Sequence, residues 1–226
     1  MTHQPENYSS AAREAILGQL RSAITGKLPF AHAQATRTSL PVTNIGSDRR
    51  ELIERFKIEV ERVHGAVYLA DNDEAAKRIL LDLLAQRNVR NVTHWEDLPL
   101  ELDQALVNAS ISTLTGDMRD VVEADAGITA AECAIAATGT LVLEMGPGRA
   151  RATSLLVPVH IALVRVDQLV PRLEDYIARV RADHLQVFAD TSNVVFITGA
   201  SRTADIEMSV VYGVHGPLEL HIVLIK

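Results

Sequence analysis

Cysteine is nearly absent: Cys133 is the only one in 226 residues. That excludes an internal disulfide framework and any cysteine-only metal or iron–sulfur site in this chain, and a reducing compartment is the simple reading. Aromatic residues make up 4% against 47% apolar residues. The core must therefore be aliphatic, a composition suited to parallel strands covered by helices. An excess of positive charge is missing too, with 22 Lys and Arg against 29 Asp and Glu and a net charge of −7. That balance argues against a nucleic-acid groove, which needs a basic stripe, but allows a small anion held by a few local arginines. No apolar run approaches the roughly 18 residues that span a membrane; the stretch 157–166 is broken by Pro158, His160 and Arg165. The opening MTHQPENYSS is polar with no apolar segment behind it, so no signal peptide is expected. Together these features predict a cytoplasmic chain without membrane insertion.

The order of elements predicts an α/β fold. Ser9 or Ser10 caps a helix to about Ala23, with Ala12, Ile16 and Leu20 on one face. A loop rich in Thr, Pro, Gly and Ser then fills 25–46, so residues 1–47 read as a helix with an extension and 48–226 as the main domain. Asp48 and Glu51 form a capping-box start for a helix whose buried stripe is Leu52, Phe56, Val60 and Val63 and which Gly65 ends. A strand at 66–70, a helix at 74–86 with Ala75, Ile79 and Leu83 inward, and a strand at 89–92 form a right-handed parallel unit. Further on, the patterns predict a helix within 98–109, a strand or its approach at 120–124 and an alanine-rich helix at 129–137 ended by Gly139. Strands follow at 140–144 and 159–166, a helix runs from Asp167 to Val180, and strands at 193–198 (buried) and 218–225 close the chain. Such open, mostly parallel sheets bind ligands at the carboxyl ends of their strands.

Three segments carry candidate chemistry. In AATGT (136–140), Thr138, Gly139 and Thr140 either approach a ligand with bare backbone or simply make a tight connection, and residue types favour the connection. In EMGPGRAR (144–151) a compact Gly-Pro-Gly loop precedes Arg149 and Arg151. The loop matches neither a Walker nor a dinucleotide motif, and an arginine anion site and a plain surface loop stand equal. In TGASRTADIE (198–207) a strand gives way to Ser201, Arg202, Thr203, Asp205 and Glu207. Hydroxyls, backbone N–H groups and an arginine make an oxyanion cradle, and a helix start capped by Ser201 is the bland alternative. His215, in the glycine-flanked GVHGP loop, is available for acid–base work near pH 7, whereas His160 and His221 sit in apolar strands and read as core histidines. A Ser201–Asp205–His215 triad is disfavoured because the second glycine of a nucleophile elbow is lacking. No His pair falls at i, i+4 and no Cys–His cluster exists, so no metal site is expected.

Four stretches in order, GITAAECAIAATGTLVLE, SLLVPVHIALV, ITGASRTADIE and GVHGPLELHIVLI, resemble the LUD domain family in its lactate utilisation protein C branch. The resemblance is strong over roughly the last hundred residues and plausible from Asp48. It implies a Rossmann-like three-layer α/β/α sandwich of the NagB/RpiA/CoA-transferase-like type. It also implies an accessory role in oxidising L-lactate to pyruvate, with iron–sulfur clusters in partner proteins and no cofactor here. Glu132 and Glu144 lack the glycine-rich setting of a CoA-transferase nucleophile, and Ala200 stands where relatives often carry proline. The expected site joins His215, Asp205 and Glu207 as catalytic groups with Thr138, Gly139, Thr140, Arg149, Ser201, Arg202 and Thr203 around a small anionic metabolite. A stand-alone enzyme acting on a phosphosugar or thioester, or a non-catalytic docking subunit, are the alternatives.

Overall fold

The computed structural model describes residues 10–25, 46, 48–114, 118–182, 191–203 and 211–226. The chain divides into two units, Met1–Thr43 and Asn44–Lys226. In the first, α1 (Ser10–Thr25) is the predicted helix, and its Ile16 and Leu20 are exposed. The predicted loop 25–46 lies almost wholly outside the described residues.

In the second unit, α2 (Arg49–Arg62) starts where Asp48 accepts the N–H groups of Arg50 and Glu51 at 2.8 and 3.2 Å. Its Leu52, Phe56 and Val60 are buried. The predicted stop shifts by one residue, because His64 takes the left-handed turn (φ 64°) and Gly65 already opens β1 (Gly65–Ala70). Histidine tolerates that conformation better than most residues. Asn72 caps α3 (Asp73–Gln86), and β2 (Asn91–His94) follows two residues later than predicted.

The middle holds α4 (Asp103–Asn108), β3 (Ser112–Thr113) and α5 (Met118–Val121). The expected strand at 120–124 is therefore a helical turn, whose Val121 packs with Ala124 and Val157. The larger correction concerns 129–137, which is not a helix but β4 (Ala126–Ala130) and β5 (Cys133–Ile135). Alanine favours helices in isolation, but here small size is what the packing requires. A Cβ on Gly127 would lie 1.9 Å from the Thr153 carbonyl oxygen. Burial then alternates with strand period: Ala134 and Ala136 face one core, Cys133 and Ile135 another.

After β6 (Thr140–Met145) come α6 (Ala152–Leu155) and β7 (Val159–Arg165). The helix predicted from Asp167 is interrupted: a 3₁₀ turn at Val166–Gln168 leads into β8 (Leu169–Val170), and α7 (Leu173–Ala182) starts only past Pro171. Proline disfavours helical backbone in the residue before it. Leu173, expected inside, is exposed, and Tyr176 and Val180 are buried instead. The chain ends with β9 (Asn193–Thr198), β10 (Arg202–Thr203), β11 (Val211–Tyr212) and β12 (Glu219–Ile225).

Six strands form an all-parallel sheet in the order β1-β12-β7-β4-β2-β3. Its α3 and α4 face carries one core, around Leu80, Leu106, Ile128 and Ile161. The opposite face packs on α2 and on a second sheet, β8-β5-β6-β9, through Phe56, Leu141, Leu143 and Ile222. Helix α7 covers the outside of that second sheet through Tyr176 and Val180. The α/β class and the mostly parallel sheet are as expected, and a small mixed sheet shares the layer on one side. Strand β9 is its edge and is half-exposed along its length, not buried. Among the described residues no helix is long and apolar enough to cross a membrane.

Candidate functional site

The β5–β6 hairpin turns at Gly139, whose φ of 64° suits glycine. A Cβ there would stand 2.6 Å from the Val60 amide nitrogen, and one on Gly199 (φ 82°) would stand 2.4 Å from the Val63 carbonyl oxygen. Both glycines are thus pressed against the end of α2, which accounts for Gly139 as a tight connection. Beside it three hydroxyls run in line, Thr138 to Thr140 at 2.6 Å and Thr140 to Thr198 at 2.8 Å. That chain carries hydrogen bonding from the hairpin to the end of β9.

Beyond Thr198 the chain does not enter a helix at Ser201. Arg202 and Thr203 pair antiparallel with Tyr212 and Val211 instead. The Ser201 N–H donates to the Pro217 carbonyl at 2.9 Å and the Gly213 N–H to the Ser201 carbonyl at 3.0 Å. These two bonds tie the TGASR segment to the GVHGP loop. The result is a cavity of about 530 Å³ shared by Ser201, Arg202, His215, Gly216 and Thr198. Arg151 and the buried Ser154, from the loop and turn before β7, complete its polar side, while Leu155, Val195, Phe196 and Ile197 form the apolar side. The cavity lies at the carboxyl end of β9 but at the amino ends of β7 and β12, since Leu218 N–H bonds Pro158 at 2.8 Å. This cavity therefore sits where the carboxyl-end rule points only with respect to the small sheet.

Arg151 and Arg202 have no ion-pair partner among the described residues. Arg55, Arg62, Arg87, Arg149, Arg165 and Arg172 are all paired with carboxylates. The cavity thus brings together two guanidiniums without an ion-pair partner among the described residues, the Ser201 hydroxyl and an imidazole, groups of the kind that can bind an oxyanion, while the Ser154 hydroxyl donates to the Arg151 carbonyl at 3.1 Å. Arg151 stands in the Gly-Pro-Gly segment that drew attention in the sequence, but its approach to Ser201 depends on long-range pairing of β7 with β12.

Arg149 is placed elsewhere. It donates to Asp97, stacks 5.6 Å from the Trp95 ring centroid and has its pKa raised by the bond to Asp97. With Glu132, Arg165 and Gln168 it lines a cavity of about 170 Å³ at the carboxyl ends of β2, β4 and β7. Its guanidinium is already committed to a carboxylate and an indole. Asp205 and Glu207 lie outside the described residues.

The core histidines are where the sequence put them. His160 is buried, its Nε2 is 2.9 Å from the Thr129 hydroxyl, and burial above all, with His221 nearby, pushes its pKa down to about 3. His221 sits between the Tyr68 hydroxyl at 3.2 Å and Glu219 at 2.8 Å, and burial lowers its pKa. Burial pushes the Glu219 carboxyl up, but the bonds from His221 and Arg87 outweigh this and hold it below its ordinary value. Cys133 is buried, and desolvation raises its thiol to about 11, so it is inert as a nucleophile. Among the described residues no three His, Cys, Asp or Glu side chains gather as metal ligands.

The fold and cavity define a parallel-sheet α/β protein with an arginine-lined corner beside a small mixed sheet. A family model described as the LUD domain matches residues 53–225, and the chain belongs to that family. It is similar to proteins named Lactate utilization protein C. The one from Exiguobacterium sp. is 30% identical over 226 residues, spanning 99% of this chain and 84% of that one. The one from Oceanobacillus iheyensis is 28% identical over 183 residues, spanning 80% and 72%. A crystal structure of a DUF162 family protein from Deinococcus radiodurans superposes with a TM-score of 0.61 and 23% identity, over 80% of this chain and all (100%) of that one. At that identity the likeness speaks for the fold.

Proposed function

We propose that this protein is a component of an L-lactate utilisation system and holds a small anionic metabolite, lactate or pyruvate, in the corner formed by Arg151, Ser201, Arg202 and His215. The family and the names of its relatives support the system. The observation that carries the site is the convergence on one cavity of two arginines without an ion-pair partner among the described residues, in a chain of net charge −7. In this reading a guanidinium fork grips the carboxylate and the Ser201 hydroxyl fixes its orientation. The imidazole of His215 receives the proton of the substrate hydroxyl.

Oxidation of lactate to pyruvate releases two electrons and two protons. This chain offers proton acceptors, but its one cysteine is buried in the core and cannot hold a cluster. In this reading the protein is an accessory subunit that binds and orients the acid, and partner subunits carrying iron–sulfur clusters would accept the two electrons and the second proton released when the C2–H bond breaks. The test is co-purification from lactate-grown cells, with iron analysis and a lactate-oxidation assay of the complex, wild type against Arg202→Ala. A complex without iron-containing partners, or full activity in the variant, removes the reading.

A further inference from the structure

The cavity is larger than a three-carbon acid needs, and its unused part runs along a strand edge. Among the described residues β9 pairs with β6 on one side and with nothing on the other. Its sequence NVVFIT carries neither charge nor proline, the devices that normally stop an edge from recruiting another strand. Residues 195–199 all line the cavity in succession. Successive strand residues point to opposite faces, so a cavity touching all of them lies along the edge itself, whose backbone N–H and C=O groups have no strand partner among the described residues. Val195 and Ile197 pack toward the core between the sheets, whereas Phe196 leans on Tyr176 at 5.8 Å and is still 47% exposed.

Charge identifies the occupant. The end of β9 next to Thr198 leads into the corner with Arg151 and Arg202. Lactate or pyruvate brings one negative charge against two permanent positive ones, and a second carboxylate restores the balance. We propose that β9 docks an extended strand of a partner protein, bearing an acidic residue at the end that meets Arg151 and Arg202, by addition to the four-stranded sheet. This rests on the reading that the two arginines recognise anions. It places the metabolite at a junction between subunits, roofed by the partner's strand.

The test uses the full chain and defined probes: labelled six-residue peptides of alternating Val and Thr with two glutamates at one end or the other, and their lysine counterparts. Fluorescence anisotropy at low salt is expected to show binding of one acidic peptide, with its lysine counterpart about tenfold weaker or more. Phe196→Glu, a negative charge placed on the edge, is expected to weaken the acidic peptide about tenfold as well. Because that variant can alter local folding, hydrogen exchange on the wild type provides the second readout: amides of 194–198 gain protection when the acidic peptide is added. Equal binding of acidic and lysine peptides, or no protection in β9, overturns the proposal. So does a self-associated chain that Phe196→Glu converts to monomer while no peptide binds, since the edge then serves a second copy. A parallel titration with L-lactate separates the two readings. Peptide binding without lactate binding removes the metabolite site and leaves the docking edge, and lactate binding without peptide binding does the reverse.

Discussion

Replacing Gly139 with alanine tests the packing that positions the whole site. Gly139 sits at φ 64°, and an added Cβ would meet the Val60 nitrogen at 2.6 Å and the Glu59 carbonyl carbon at 2.8 Å. Left-handed backbone costs an alanine about 1–2 kcal/mol. The overlap is with backbone of α2, which cannot swing aside as a side chain would, and overpacking of this kind costs about 1–3 kcal/mol. The sum is roughly 2–5 kcal/mol, and in a domain of this size each kcal/mol moves the melting temperature by about 2–4 °C. Thermal denaturation of Gly139→Ala is therefore expected roughly 4–20 °C below wild type. Gly146→Ala is the control, because nothing lies within 4 Å of its added Cβ, and its melting point should stay within about 2 °C of wild type. If the two variants melted together, the hairpin would not be seated on α2 as described, and Gly139 would have to be explained through a ligand instead.

Three further outcomes follow from other parts of the molecule. His160 stays neutral in the fold down to about pH 3 but takes a proton near pH 6.5 once unfolded. The unfolded state then binds more protons, so stability falls as pH drops from about 6.5 toward 3. In urea titrations at a series of pH values, His160→Gln should show a shallower fall than wild type, and an identical fall would refute the assignment. Cys133 should resist thiol reagents at pH 7–8 until the protein unfolds, then react once per chain; rapid labelling of the native protein would contradict its burial. Arg149→Ala should change the emission of Trp95, the only tryptophan, while lactate affinity stays within about twofold. A collapse of affinity would return Arg149 to the binding site.

The long inner strands and capped helices were legible in the sequence because local signals agree there. Asp48 and Asn72 cap as their positions suggest, and 159–166 and 218–225 are apolar runs of strand length. The region 126–137 was not legible, because Gly127 answers a steric demand from Thr153 on a distant turn and buried alanines such as Ala126 and Ala134 lie in strands that long-range pairing forms, which no local pattern records. Pro171 was the available signal that the helix from Asp167 must start later. At the site, Ser201, Arg202 and His215 could be recognised by their setting between glycines, and the structure joins them through two backbone bonds. Arg149 and Arg151 look equivalent in GPGRAR, yet one faces Asp97 and Trp95 and the other the anion corner. Only the fold of the loop separates them.

The central claim is an anion site in the corner of Arg151 and Arg202, and calorimetric titration of L-lactate and pyruvate onto the full chain tests it most directly. Saturable binding to the wild type is expected, weakened about tenfold or more by Arg151→Ala and by Arg202→Ala, with both exposed substitutions leaving the melting temperature in place. Absence of saturable binding by either acid, or equal affinity in wild type and both variants, would contradict it.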